Sequence, residues 1–75
     1  MTLALDCRGQ LCPLPVIELA RRISDVPVGG RIDLAADDPA ARVDIEAWCR
    51  LRGQAYLGTS TAADGVAIYE IRRLT

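Results

Sequence analysis

The 75-residue sequence contains no histidine and no lysine. Without imidazole, catalytic schemes that use histidine as the general base are excluded, and without a lysine amine so is Schiff-base chemistry. No apolar run approaches the roughly 20 residues that cross a bilayer, and the N-terminus lacks the pattern of a secretory signal. The net charge of −1 provides no overall attraction to nucleic acid or anionic lipid. We therefore expect a cytoplasmic protein with neither direct nucleic-acid binding nor a membrane partner.

Cysteine is scarce, with three residues in the chain. An odd number without an export signal indicates the reducing cytosol, and thiol chemistry or packing rather than a disulfide framework. A zinc site built from Cys7, Cys12 and Cys49 would lack both a Cys-x-x-Cys pair and a histidine ligand, so we expect no metal and no cofactor. The 51% hydrophobic and 25% charged residues are typical of a globular protein. The length predicts a single domain over residues 1–75.

Four segments are predicted to be strands, over residues 3–7, 31–36, 54–59 and 66–74. The inner faces of the first two are expected to carry Leu3, Leu5 and Cys7, and Ile32, Leu34 and Ala36. Asp64-Gly65 is a usual turn pair, so residues 61–65 predict a hairpin connection between the last two strands. The facing of the fourth strand stays ambiguous, because its apolar residues fall on both sides.

Two segments with apolar residues at three- and four-residue spacing predict helices. The first covers residues 16–24. The second starts at Asp38-Pro39, with Asp38 as N-cap, and runs to about Arg52, with Gly53 as C-cap. The residues expected to face inward are Val16, Leu19, Ala20 and Ile23 in the first helix, and Val43, Ala47, Trp48 and Leu51 in the second.

The resulting order of elements is βαβαββ. Each strand, crossover helix and strand should form a right-handed parallel unit, whereas the last two strands should form an antiparallel hairpin. We therefore expect an α/β (α+β) two-layer sandwich, with a four-stranded mixed sheet and both helices on one face.

The most informative segment is Gly9-Gln10-Leu11-Cys12-Pro13-Leu14-Pro15. Cys12 followed by Pro-x-Pro and an amphipathic segment predicts a thiol at a stiff first helical turn, with Cys12 as N-cap and the Leu14 N–H as donor to its sulfur. The partial positive charge of a helix N-terminus would favour the thiolate, which is the reactive form. This pattern suits a nucleophile or a carrier of sulfur, supported by Gly9, Pro13, Leu14 and Pro15. The competing interpretation is a buried cysteine that packs as a small hydrophobe.

The other candidate residues have a structural interpretation, and some have a functional one as well. Arg8 either adds positive charge beside the sulfur, or meets an acidic partner, or is an ordinary solvated arginine. Asp6 is expected to hydrogen-bond local backbone. Cys7 is expected to be buried, with a disulfide to Cys12 as the alternative. Cys49 and Trp48 are expected to pack in the core.

Residues 5–15 resemble the signature of the TusA-like (SirA-like) sulfur carriers. The resemblance continues through Pro27-Val28-Gly29-Gly30, Asp37-Asp38-Pro39, Asp44-Ile45, Trp48-Cys49 and Gly53. It implies a cytoplasmic carrier that accepts a persulfide sulfur on Cys12. The donor would be a cysteine desulfurase or a rhodanese-like protein, and the acceptor a relay protein of the DsrE type. The end uses would be tRNA thiolation, molybdenum cofactor assembly or sulfur oxidation.

The resemblance also implies the same βαβαββ sandwich, and an enzyme only in the loose sense of a sulfurtransferase. We expect a monomer, because a shuttle exchanges partners. The alternative function is a redox-sensing or regulatory module, or an RNA-binding one, since the fold resembles the C-terminal domain of translation initiation factor three. The net negative charge and the lack of a basic, aromatic-rich face count against RNA.

Overall fold

The computed structural model describes all 75 residues and confirms the predicted order of elements. The strands are β1 (Thr2–Asp6), β2 (Arg31–Ala36), β3 (Ala55–Thr61) and β4 (Ala67–Arg72). The helices are α1 (Leu14–Arg22), which continues into a 3-10 turn over Ile23–Asp25, and α2 (Ala41–Arg52). Neither α1 nor α2 has the length and hydrophobicity of a membrane-spanning helix.

The four strands form one mixed sheet in the order β1-β2-β4-β3. β1 and β2 are parallel, with Leu5 opposite Leu34, and both other pairs are antiparallel. The predicted hairpin between β3 and β4 is confirmed, and Gly65 takes the positive φ of +87° that its turn requires. Because β1 and β2 run in the same direction, the loops that follow them leave the sheet at the same edge.

The core lies between the sheet and the two helices, as a two-layer sandwich requires. The alternating residues of β1 and β2 are buried as predicted, among them Leu5, Ile32 and Leu34. β4 turns Tyr69 and Ile71 toward the helices, which resolves the ambiguous facing of this strand. The helices contribute Leu19 from α1, and Ala41, Ile45, Trp48 and Cys49 from α2. The opposite face of the sheet carries no layer.

The start of α2 differs from the prediction. Ala40 is the N-cap and the helix begins at Ala41, so Asp38 is not the N-cap and Pro39 is not the first helical residue. Instead the Asp38 carboxylate accepts a hydrogen bond from the Ala40 N–H at 2.8 Å, in the turn that leads into the helix. Asp38 thus bonds backbone in the turn two residues before the N-cap and does not cap α2.

The predicted inner faces of both helices are partly wrong. Val43 and Leu51 are 67% and 84% exposed, because α2 turns the stripe through Ile45 and Cys49 toward the sheet. Trp48 lies between this stripe and the predicted one through Val43 and Leu51, and it is buried as predicted. In α1, Leu19 is fully buried as predicted, whereas Ala20 is exposed.

Candidate functional site

Cys12 lies at the edge of the sheet where β1 and β2 both end. Two aspartates in the loop after β2 bind the backbone of the loop after β1, which carries Cys12. The Asp37 carboxylate accepts a hydrogen bond from the Gly9 N–H, at 3.0 and 3.2 Å to its two oxygens, and Asp38 Oδ2 accepts one from the Cys12 N–H at 2.8 Å. Gly9 has a φ of +77°, which a residue with a side chain rarely adopts. The two carboxylates therefore fix the backbone of the cysteine loop.

Cys12 is exposed, but it is not the N-cap of α1 as predicted. Pro13 is the N-cap, Leu14 is the first helical residue, and the Cys12–Pro13 peptide bond is cis. The Leu14 N–H does not reach the sulfur, because it donates to the Leu11 carbonyl at 2.9 Å and closes a turn. Pro15 is in the first turn as predicted, and is buried. The sulfur thus lies before the helix and not on its free N–H groups.

The Cys12 thiol donates a hydrogen bond to Asp44 Oδ2, in the first turn of α2. This hydrogen bond raises the pKa of Cys12, and so do desolvation and the negative charges of Asp44 and Asp38. The prediction that the helix N-terminus favours the thiolate is therefore wrong. Two full negative charges outweigh a partial positive charge whose N–H groups do not point at the sulfur.

An apolar groove of about 320 Å³ opens beside Cys12, between α1 and α2. Its lining residues are Cys12, Pro13, Val16, Asp44, Ala47, Trp48 and Leu51. Trp48 is 9% exposed, so it packs in the core as predicted while it also lines this groove. Leu11 and Leu14, next to Cys12 in the chain, are 72% and 49% exposed and extend the apolar surface. Such a surface around a thiol suits contact with another protein.

Arg8 is engaged away from the sulfur. Its guanidinium forms ion pairs with Asp6 at 3.0 Å and with Asp64 at 2.8 Å, so it ties the cysteine loop to the hairpin between β3 and β4. These contacts raise the pKa of Arg8. The hydrogen bond from the Arg8 backbone N–H and then the guanidinium lower the pKa of Asp6, and the guanidinium lowers that of Asp64. The hypothesis that Arg8 adds positive charge beside Cys12 is not supported by these contacts. The local role predicted for Asp6 is confirmed, since its carboxylate accepts the Arg8 N–H at 3.1 Å.

The other two cysteines are core residues, as predicted. Cys7 and Cys49 are 0% and 1% exposed, and all three cysteines are free thiols. Burial raises the pKa of Cys7, and raises the pKa of Cys49 to about 11. The alternative disulfide between Cys7 and Cys12 is not formed. No group of three or more histidine, cysteine, aspartate or glutamate side chains is placed to hold a metal ion.

The sequence patterns indicate no role at the sulfur for Asp37, Asp38 or Asp44. A signal for the first two was present, because Asp37 and Asp38 follow β2 directly, and parallel strands bring the ends of β1 and β2 to one edge. Asp44 had no such signal. Its contact with Cys12 joins residues 32 positions apart and depends on how α2 packs beside α1.

Comparison with known proteins gives a consistent result. The family model described as Sulfurtransferase TusA matches residues 3–73. The chain is 38% identical over 69 residues to the sulfur carrier protein TusA of Pseudomonas syringae pv. syringae, which covers 92% of this chain and 81% of that protein. It is 33% identical over 63 residues to the Bacillus subtilis protein YrkF, with 84% of this chain matched, but spans only 34% of that protein's length. In structure it is similar to a SirA-like protein from Desulfitobacterium hafniense, with a TM-score of 0.81 over 100% of both chains and 22% sequence identity.

Proposed function

The chain belongs to the TusA family of sulfur carriers, and from this membership we propose that Cys12 is the residue that accepts, holds and passes on the sulfur. The observation that carries the proposal is accessibility. Cys12 is the one exposed thiol of the chain, whereas Cys7 and Cys49 are buried to 0% and 1% exposure. A sulfur atom transferred between proteins has to be reached by both of them, and a buried thiol is inert.

The chemistry is exchange between a thiol and a persulfide. The Cys12 thiolate attacks the outer sulfur of a donor persulfide R–S–SH, a new S–S bond forms on Cys12, and the donor's own S–S bond breaks. The electron pair goes to the donor sulfur, which leaves as a thiolate and takes up the proton lost by Cys12. Discharge to an acceptor thiol is the same exchange with Cys12 as the leaving group. Neither step needs an oxidant, a metal or a cofactor.

Within this function residues 1–75 act as one sulfur-carrier domain, in the cytoplasm and as a monomer. The donor is a cysteine desulfurase or a rhodanese-like protein and the acceptor a DsrE-type relay protein. The sulfur goes to tRNA thiolation, cofactor assembly or sulfur oxidation. The apolar surface formed by the groove, Leu11 and Leu14 supports a role in contacts with these partners. The supporting role of Pro13, Leu14 and Pro15 is to mount Cys12 on the start of α1, and that of Gly9 is to shape its loop.

The alternative redox-sensing function has less support. A sensor cysteine is typically an exposed thiol of low pKa, often beside a resolving cysteine. Cys12 is exposed, but its hydrogen bond to Asp44 raises its pKa. Cys7, the nearest cysteine in the chain, is fully buried. The carrier function fits these observations better, because a carrier reacts inside a complex and need not be reactive alone.

Intact-mass measurement tests the assignment of Cys12. After incubation with glutathione persulfide and removal of the excess, we expect the protein to gain one sulfur, which a reductant removes again. The Cys12→Ser variant should gain none, whereas Cys49→Ser should gain the same amount as the unchanged chain. Sulfur that still accumulates on Cys12→Ser would refute the assignment.

A further inference from the structure

Asp44 lies directly beside the sulfur of Cys12. Its Oδ2 atom accepts the hydrogen bond of the Cys12 thiol, and both residues line the same groove between α1 and α2. The inference that follows rests on the proposed function, since it concerns the proteins that deliver or collect sulfur at Cys12. Their chemistry is constrained by what the groove presents to them.

The groove presents negative charge without a cation. Its seven lining residues include one carboxylate, Asp44, and no arginine. The second charge acting on the sulfur is also negative and comes from Asp38, which holds the Cys12 backbone. A docked protein that covered the groove with apolar groups alone would remove the Asp44 carboxylate from water and leave it unpaired. Burying an unpaired charge is strongly unfavourable, so a stable complex has to supply a cation or several donors.

We propose that the sulfur-exchanging partner places an arginine or lysine side chain on Asp44, and that this ion pair releases Cys12 from its hydrogen bond as a reactive thiolate. In the free protein the carboxylate accepts the thiol's hydrogen bond and so keeps the proton on sulfur. In the complex the cation takes over the carboxylate and adds positive charge beside the sulfur, and both changes favour the thiolate. The proton leaves with the donor's departing thiolate.

This arrangement protects the cargo between partners. In discharge Cys12 is the leaving group, and a thiol of high pKa leaves slowly. The Asp44 carboxylate beside the sulfur disfavours negative charge on it, both when Cys12 attacks as a thiolate and when it leaves as one. It therefore slows both loading from stray persulfides and loss of sulfur to stray thiols. A partner cation on Asp44 accelerates both steps where they are wanted, inside the complex.

The first test measures the rate of alkylation of the folded protein against pH. Cys7 and Cys49 are buried, so this rate reports Cys12. Asp44→Asn should react about tenfold faster than the unchanged chain near pH 7, the effect expected for loss of a hydrogen bond to a charged group. Glu46→Gln is the matched control, because it removes the same charge from the same helix, and Glu46 pairs with Arg42 rather than with Cys12. Its profile should coincide with that of the unchanged chain. An Asp44→Asn profile that coincides as well, or moves to higher pH, overturns the proposal.

The second test places a cation in the groove. Leu51 lines the groove and is 84% exposed, so polar replacements are tolerated there. Leu51→Arg should be alkylated several-fold faster than Leu51→Gln at low ionic strength, and salt should reduce the difference. Equal rates overturn the role of the cation. Alkylation involves no persulfide, so these results stand apart from the mass gain that tests the proposed function.

Discussion

Alkylation of the folded protein should modify Cys12 and leave Cys7 and Cys49 unmodified. Cys12 is exposed, whereas the other two side chains are 0% and 1% exposed. A reagent such as iodoacetamide reaches a buried thiol only when the structure opens, so the rate at each buried cysteine measures the free energy of opening. The three cysteines thus probe the loop, the sheet and α2 in one experiment.

The size of the protection follows from the stability of a chain of this length. At about 0.05–0.15 kcal/mol per residue, 75 residues give about 4–11 kcal/mol, so Cys7 should react about 10³- to 10⁸-fold more slowly than in the unfolded chain. Cys49 lies one turn from the end of α2 at Arg52, where helices fray, and should be less protected than Cys7.

The assay is a time course of alkylation, read by digestion and mass spectrometry, with the same reaction in urea as the reference for each cysteine. The rate at Cys12 should rise with pH beyond the ordinary thiol range, because its pKa is raised above 9.0. If Cys7 or Cys49 is modified as fast as Cys12 in the folded protein, the core described between the sheet and the helices is wrong.

Two further predictions concern stability. Leu19→Ala removes a fully buried side chain of α1, so it should lower the free energy of unfolding, measured by urea titration, by about 2–5 kcal/mol. Leu11→Ala is the control, because Leu11 is 72% exposed and its loss should change this free energy by less than about 0.5 kcal/mol. A similar loss in both variants would contradict the burial of α1. Hydrogen bonds from the Ala40 and Cys12 N–H groups lower the pKa of Asp38 below its ordinary value of 3.8. The stability that the ionised carboxylate contributes is therefore present above pH 3.8, and it is lost as the pH falls through the lower pKa that Asp38 has in the folded protein. Chemical unfolding below about pH 4 should therefore depend less on pH in Asp38→Asn than in the unchanged chain, and equal slopes would contradict the role of Asp38.

Local patterns predicted the strands well, because alternation and turn residues act within a few positions. Leu5, Ile32 and Leu34 lie on the buried face as expected, and Asp64-Gly65 forms the predicted turn. The hairpin between β3 and β4 and the parallel pairing of β1 with β2 followed from the order of elements.

The inner face of α2 could not be read in the same way. Two apolar stripes at four-residue spacing share this helix, one through Val43 and Leu51 and one through Ile45 and Cys49. Periodicity alone does not say which stripe meets the sheet. The stripe through Ile45 and Cys49 packs against the sheet, since both residues are buried. The other stripe faces away from the sheet, and its Leu51 lines the groove.

The reactivity of Cys12 is the property least accessible from the sequence, because it too depends on how distant segments pack together. The prolines at positions 13 and 15 predict a stiff helix start, and that prediction concerns residues within one turn of the sulfur. The acidity of the thiol depends instead on Asp38 and Asp44, which are 26 and 32 positions away. Asp38 is brought to Cys12 by the loop after β2, and Asp44 by the packing of α2. An electrostatic effect acts through space, so a local motif predicts where a thiol is mounted, but the fold determines whether it is a thiol or a thiolate. For a sulfur carrier this separation is useful, because the partner cation proposed for Asp44 would act from α2, whereas the loop that carries Cys12 is held by Asp37 and Asp38.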